Sequence, residues 1–214
     1  MKKTTLLAGS LMAIAIQSAS AAELGGLYGG ITVSDTDYKA GWFDRDNFYH
    51  GGTFEHDDRS VAYGLQFGIN SVRENLLLGA EFGYQSMDSD VSTYYNNDLF
   101  YNNEISALYS LKVRAGLVQG GTTFYLTAGI AQTDEEHQLI DVGGTDSTDT
   151  FETERPMTLI GVGIEHMIAD TLSLRFEYQQ GAGQETDEQI IGNTESYEVT
   201  SDIRQFGASV NFHF

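Results

Sequence analysis

Apolar and small or polar residues alternate along most of the chain. Val61, Tyr63, Leu65, Phe67 and Ile69 share one face and Ala62, Gly64, Gln66, Gly68 and Asn70 the other, which is the period of a β-strand with no helical competitor. After Ser71 to Asn75 the pattern restarts, with Leu76, Leu78, Ala80, Phe82 and Tyr84 against Leu77, Gly79, Glu81, Gly83 and Gln85, so the two runs predict a hairpin. The unit recurs twice. Ile105, Ala107, Tyr109, Leu111, Val113, Ala115 and Leu117 lead through Gln119-Gly120-Gly121 to Phe124, Leu126, Ala128 and Ile130. Ile160, Val162, Ile164 and Ile168 lead through Ala169-Asp170 to Leu172, Leu174, Phe176 and Tyr178, with His166 interrupting the apolar face near the turn. Leu27, Gly29, Ile31 and Val33 at the start, and Phe206, Ala208, Val210, Phe212 and Phe214 at the finish, complete eight strands. Three short turns alternate with four polar connections at roughly 36–60, 88–104, 133–156 and 182–201, so short and long connections sit on opposite ends of the sheet.

Eight such strands can close with the apolar face inward, as in a soluble ligand-binding barrel, or outward, as in a membrane. The other face decides between them. A face in water carries Lys, Glu, Asp and Thr, whereas here it is mostly Gly, Ala, Ser and Gln, which suit the cramped interior of an eight-stranded barrel. Its few charges are Glu81, Lys112, Arg114, Glu165, Arg175 and Glu177, three of each sign in a strongly acidic chain. Such balance implies mutual pairing inside a lumen, where an unpaired charge costs several kcal/mol in order of magnitude. An Arg or Lys facing lipid at mid-depth costs about 2–4 kcal/mol. Aromatics close both rims of the apolar face, Tyr63, Tyr84, Tyr109 and Tyr178 towards the long connections and Phe67, Phe124, Phe212 and Phe214 towards the turns. The fold expected is all-β, an eight-stranded antiparallel up-and-down transmembrane β-barrel.

Lys2 and Lys3, the apolar stretch Leu6 to Ile16 and the small residues Ser18 to Ala22 read as a secretory signal peptide over residues 1–22, with the barrel domain over 23–214. No stretch of that domain is long and apolar enough for a membrane helix. The chain contains no cysteine, which removes disulfides, zinc–thiolate sites and cysteine nucleophiles. A formal net charge of −20 repels nucleic acid.

The run Gln205-Phe206-Gly207-Ala208-Ser209-Val210-Asn211-Phe212-His213-Phe214 adds an independent signal. With its glycine, alternating apolar positions and terminal aromatic, the sequence resembles the OmpA/OmpX/Opa class of eight-stranded outer-membrane barrels. That resemblance implies that Gly207, Val210, Phe212 and Phe214 form a signal read by the barrel assembly machinery. It also implies termini and tight turns in the periplasm and long connections outside the bacterial cell. The resemblance covers the barrel alone, and with no peptidoglycan-binding domain expected after it the anchoring role of two-domain OmpA proteins is not expected to carry over.

Candidate chemistry outside the lumen is sparse. Acidic clusters at Asp134-Glu135-Glu136 and at Glu185, Asp187 and Glu188 read first as solvated surface and second as divalent-cation bridges to lipopolysaccharide. His50, Glu55, His56, Asp57 and Asp58 lack recognised metal-ligand spacing. Trp42, Phe43, Phe48, Tyr49 and Phe54, and Tyr94, Tyr95, Phe100 and Tyr101 beside Asn96, Asn97, Asn102 and Asn103, offer either packing above the membrane or an adaptable recognition surface. His50, His56 and His137 fall in the long connections and His166 and His213 near the turns, each without an apparent nucleophile and acid. The expectation is a non-enzymatic, cofactor-free, metal-free monomer in the outer membrane, in contact with outer-membrane lipid and lipopolysaccharide, with a structural or surface-interaction role. A low-conductance pore gated by the lumen ion pairs is the alternative, and a lipid A-modifying enzyme the more distant one.

Overall fold

The structure, a computed structural model, describes residues 24–44, 53–94, 99–141, 148–183, 186–189 and 196–214. The expected signal peptide therefore lies outside the described residues. Nine strands follow in chain order: β1 Gly26–Asp44, β2 Thr53–Arg73, β3 Leu76–Tyr94, β4 Leu99–Gln119, β5 Thr122–Asp141, β6 Thr148–Ala169, β7 Leu172–Gly183, β8 Thr186–Gln189 and β9 Ser196–His213. Each of β1 to β7 pairs antiparallel with the next, β7 pairs with β9, and β9 pairs back to β1 from Tyr28↔His213 to Asp44↔Tyr197. These eight strands close the barrel and leave no open sheet edge at membrane depth, as lipid requires. β8 is a four-residue strip laid on the far end of β9.

Outward residues are the apolar set of the alternation: Tyr63, Leu126 and Phe214 are 66%, 65% and 79% exposed. A protein immersed in water would bury them. In hydrocarbon the same face needs no cover, so the barrel is apolar outside and polar within.

The structure corrects the expected lengths of the connections. β1 and β2 continue pairing through Tyr38↔Asp58 to Phe43↔Thr53, and β5 and β6 through Glu135↔Thr153 to Ile140↔Thr148, across segments that read as polar loops. β2 has 21 residues, about twice the roughly 9–11 that cross a membrane. Outside the lipid the outward face meets water and needs no apolar residues, so the alternation fades while the backbone ladder persists.

A second correction concerns Ile105. Register shifts between Ser86 and Ser89 on β3 and between Ile105 and Ala107 on β4 mark a bulge. An extra residue reverses the facing of everything beyond it, so Ile105 points inward and is fully buried rather than continuing the outer face.

The β4–β5 turn, Gly120-Gly121, has φ of 58° and 76°, the left-handed pair of a type I′ hairpin turn that matches strand twist. A Cβ at Gly120 would meet nothing within 4 Å, so only its backbone conformation opposes a side chain. Gly120→Ala should therefore lower stability by about 1–2 kcal/mol in urea unfolding, with Gly120→Asn closer to wild type because Asn tolerates this region.

Candidate functional site

The lumen is stacked in layers, and its middle layer holds the six charges. Strand pairing brings two oppositely charged couples side by side, Glu81↔Lys112 and Glu165↔Arg175. Glycine faces several of the long side chains from the neighbouring strand, at Gly79↔Arg114, Lys112↔Gly129 and Gly163↔Glu177. A Cβ at Gly79 would collide with the Asn70 side chain and one at Gly163 with the Tyr125 ring, so these glycines admit the polar and aromatic side chains packed beside the charges.

Lys112 Nζ donates to Glu177 Oε1 at 2.6 Å and lies 3.1 Å from Glu81 Oε1. Arg114 Nη2 donates to Glu165 Oε2 at 2.7 Å, while Arg175 donates to Glu81 and reaches Glu165 Oε2 at 3.3 Å. Every carboxylate thus meets at least one cation and the layer is formally neutral. Two tyrosines frame it: Tyr28 Oη donates to Glu81 Oε2 at 2.6 Å and accepts from Arg114 Nη1 at 3.0 Å, and Tyr125 Oη donates to Glu177 Oε2 at 2.8 Å. The guanidinium of Arg114 lies 4.1 Å from the Tyr125 ring centre and that of Arg175 5.1 Å from the Tyr28 ring centre, so each arginine faces an electron-rich ring as well as a carboxylate. Tyr28 and Tyr125 were legible from their phase alone, since both fall among the inward positions between apolar outward neighbours.

Below the charges, Leu24, Leu77, Val118 and Met167 form a buried apolar cluster at the turn end, with Val72 against it. Above them, Gln205 Nε2 donates to Thr36 Oγ1 at 2.9 Å and to Gln85 Oε1 at 3.2 Å, and Gln179 Nε2 donates to Gln205 Oε1. Higher still, Tyr38, Ala62, Met87, Ile105, Leu108, Ala131, Met157, Leu159 and Ile203 make an apolar plug. The void lined by Lys112, Arg175, Glu177 and the glutamines measures about 20 Å³, room for about one water. The plug had a signal in the sequence: at Leu108-Tyr109 and Leu159-Ile160 both phases of the alternation are apolar, which an open polar channel does not explain.

Several candidates take different places from those expected. Glu135, read as a solvated loop acid, is buried inside β5 and accepts from Tyr38 Oη at 3.0 Å and Thr133 Oγ1 at 2.6 Å. His213, read as isolated, lies 3.0 Å by Nε2 from Ser173 Oγ and 3.5 Å from Glu165 Oε1, with its ring 5.6 Å from that of Tyr28. These three do not form a nucleophilic triad. Serine and acid both stand at Nε2, Ser173 Oγ donates to Glu165 Oε1 at 2.6 Å, and among the described residues Nδ1 has no partner, whereas a triad sets its acid at the far nitrogen. Asn211 Nδ2 completes the shell of Glu165 at 2.8 Å, so the group holds a carboxylate in place. His166 Nδ1 lies 2.8 Å from Thr122 Oγ1.

On the last strand Val210, Phe212 and Phe214 point outward, Phe212 and Phe214 meet edge to face at 5.1 Å, and Phe214 N donates to Leu27 O at 2.9 Å. A Cβ at Gly207 would lie 3.1 Å from Ser34 Oγ. His50, Phe48, Tyr49, Tyr95, Asn96, Asn97 and Glu185 lie outside the described residues, as do the side chains of Trp42, Phe43, Phe54, Glu55, His56, Tyr94, Tyr101, His137, Asp187 and Glu188. Among the described residues no cluster of His, Asp or Glu could hold a metal ion.

A family model described as the outer membrane protein β-barrel domain matches residues 5–214. No curated protein sequence matches the chain. Among solved structures, the outer membrane protease OmpT from Escherichia coli is similar with a TM-score of 0.52 at 8% identity, covering 88% of this chain and 97% of that one. A major outer membrane protein from Thermus thermophilus is similar with a TM-score of 0.50 at 11% identity, covering 85% and 99%. At these identities the likeness concerns the fold.

Proposed function

The chain belongs to the outer membrane protein β-barrel domain family and resides in the bacterial outer membrane, and from that premise we propose that it acts through what it presents at the cell surface. It is a sealed barrel with tight turns in the periplasm and strand extensions outside, serving the outer membrane structurally or contacting a surface partner. It is neither a conduit nor an enzyme. Lipopolysaccharide and outer-membrane lipid are its surroundings, and the barrel assembly machinery reads Gly207, Val210, Phe212 and Phe214.

The observation that carries this reading is the pair of apolar clusters on either side of the charged layer. Ions do not cross a dry apolar constriction readily, and exchange of partners among Glu81, Lys112, Arg114, Glu165, Arg175 and Glu177 leaves the plug where it is.

Conductance across planar bilayers tests it. The refolded barrel stays silent, whereas a variant combining Leu108→Ser, Leu159→Ser and Ile203→Ser shows discrete openings. Wild-type openings that change when the six lumen charges are neutralised would replace this reading with the gated pore. Lipid A of unaltered mass in cells with and without the protein is the expected outcome for a non-enzyme, and a new acylated or deacylated species would overturn it.

A further inference from the structure

The strand register sets a block of charges on the outer wall where the apolar band ends. On β9, β1 and β2 the outward rows run Ala208–Val33–Tyr63, then Phe206–Asp35–Val61, then Arg204–Asp37–Arg59, then Asp202–Lys39–Asp57. Within two rows the wall passes from apolar to fully charged. Lys39, Arg59 and Arg204 are all exposed. The only other described cation on the outer wall is Arg73, at the opposite, turn end of β2. At comparable height β4 and β5 present Glu104, Gln132, Asp134 and Glu136.

The cations are not equally engaged. Arg59 makes a two-point pair with Asp35, Nε to Oδ1 at 2.8 Å and Nη2 to Oδ2. Lys39, flanked in register by Asp57 and Asp202, and Arg204, between Asp37 and Gln180, close no ion pair among the described residues. They stand exposed where the apolar band ends, on an otherwise acidic wall.

We propose that this block binds a phosphorylated glycolipid of the outer leaflet, with Arg204 and Lys39 on its phosphates. A guanidinium matches phosphate oxygens in two-point fashion and a lysine adds a point charge. The aspartates select the rest of the headgroup. Sugar hydroxyls donate to Asp37 and Asp202, which a simple phosphodiester cannot do, and Val33, Val61, Tyr63 and Phe206 meet the first methylenes of the acyl chains.

This inference rests on the membrane orientation in the proposed function. Conductance tests the sealed lumen separately, so failure of lipid binding leaves that reading intact.

The test uses the refolded barrel in detergent with diphosphoryl lipid A, the same lipid stripped of its phosphates, and inorganic phosphate as competitor. Lys39→Gln with Arg204→Gln weakens binding of diphosphoryl lipid A roughly thirtyfold. Arg73→Gln leaves it unchanged, Lys39→Arg with Arg204→Lys restores most of it, and wild type binds the stripped lipid about as poorly as the double variant does. Heat-modifiable gel migration verifies that each variant is folded. Equal wild-type binding of both lipids, or an Arg73→Gln loss as large as that of the double variant, overturns the proposal. Displacement by an equal concentration of inorganic phosphate overturns it too, by making the block a site for the free anion.

Discussion

Arg175→Met should lower the unfolding free energy of the refolded barrel by about 3–5 kcal/mol, the size expected when one member of a buried ion network is removed. Arg175 engages Glu81 and Glu165 together, and all three side chains are essentially inaccessible. Methionine fills the space but strands part of the charge on two buried carboxylates. Arg114 retains contact with both at 2.7 and 3.9 Å, which limits the loss. The comparison is Arg59→Met, whose pair with Asp35 is solvent-exposed and should contribute about 0–1 kcal/mol. Urea titration of both variants in lipid vesicles reads the difference, and equal shifts would refute a lumen held together by its charges.

Val113→Arg should cost about 2–4 kcal/mol in the same titration, the range for a cation on the lipid face near mid-depth. Val113 sits on β4 between Leu111 and Ala115, in the middle of the outward apolar run, and is 62% exposed. In a water-soluble barrel the same change would be nearly neutral, so the result separates the two environments directly. Arginine at Gln180, outward on β7 beyond the Tyr178 rim, should be tolerated, because there the side chain reaches the interface.

What could be read before the structure follows from locality. A strand shows its residues alternately to two sides, so the phase of a residue is set by its near neighbours. The inward placement of the six lumen charges and the outward residues of the final strand were legible on that basis. Phase also marked Tyr28 and Tyr125, which a search for charges alone passed over. Strand length was not legible, because outside the membrane the ladder needs no apolar face. Ile105 was misplaced because a bulge reverses phase without any distinct residue type to announce it.

The amino-acid sequence by itself determined that this chain crosses a membrane as strands, which face of each strand meets lipid, and that charges of both signs share the interior. Only the tertiary structure decided which charges meet. Glu81 and Arg175 are 94 residues apart, and Tyr38 reaches Glu135 over a separation of 97. Neighbours across a lumen depend on strand order, on the stagger of the closed sheet and on each bulge, and these are properties of the whole barrel. The same geometry gathered apolar residues from seven strands into one buried cluster over the charges.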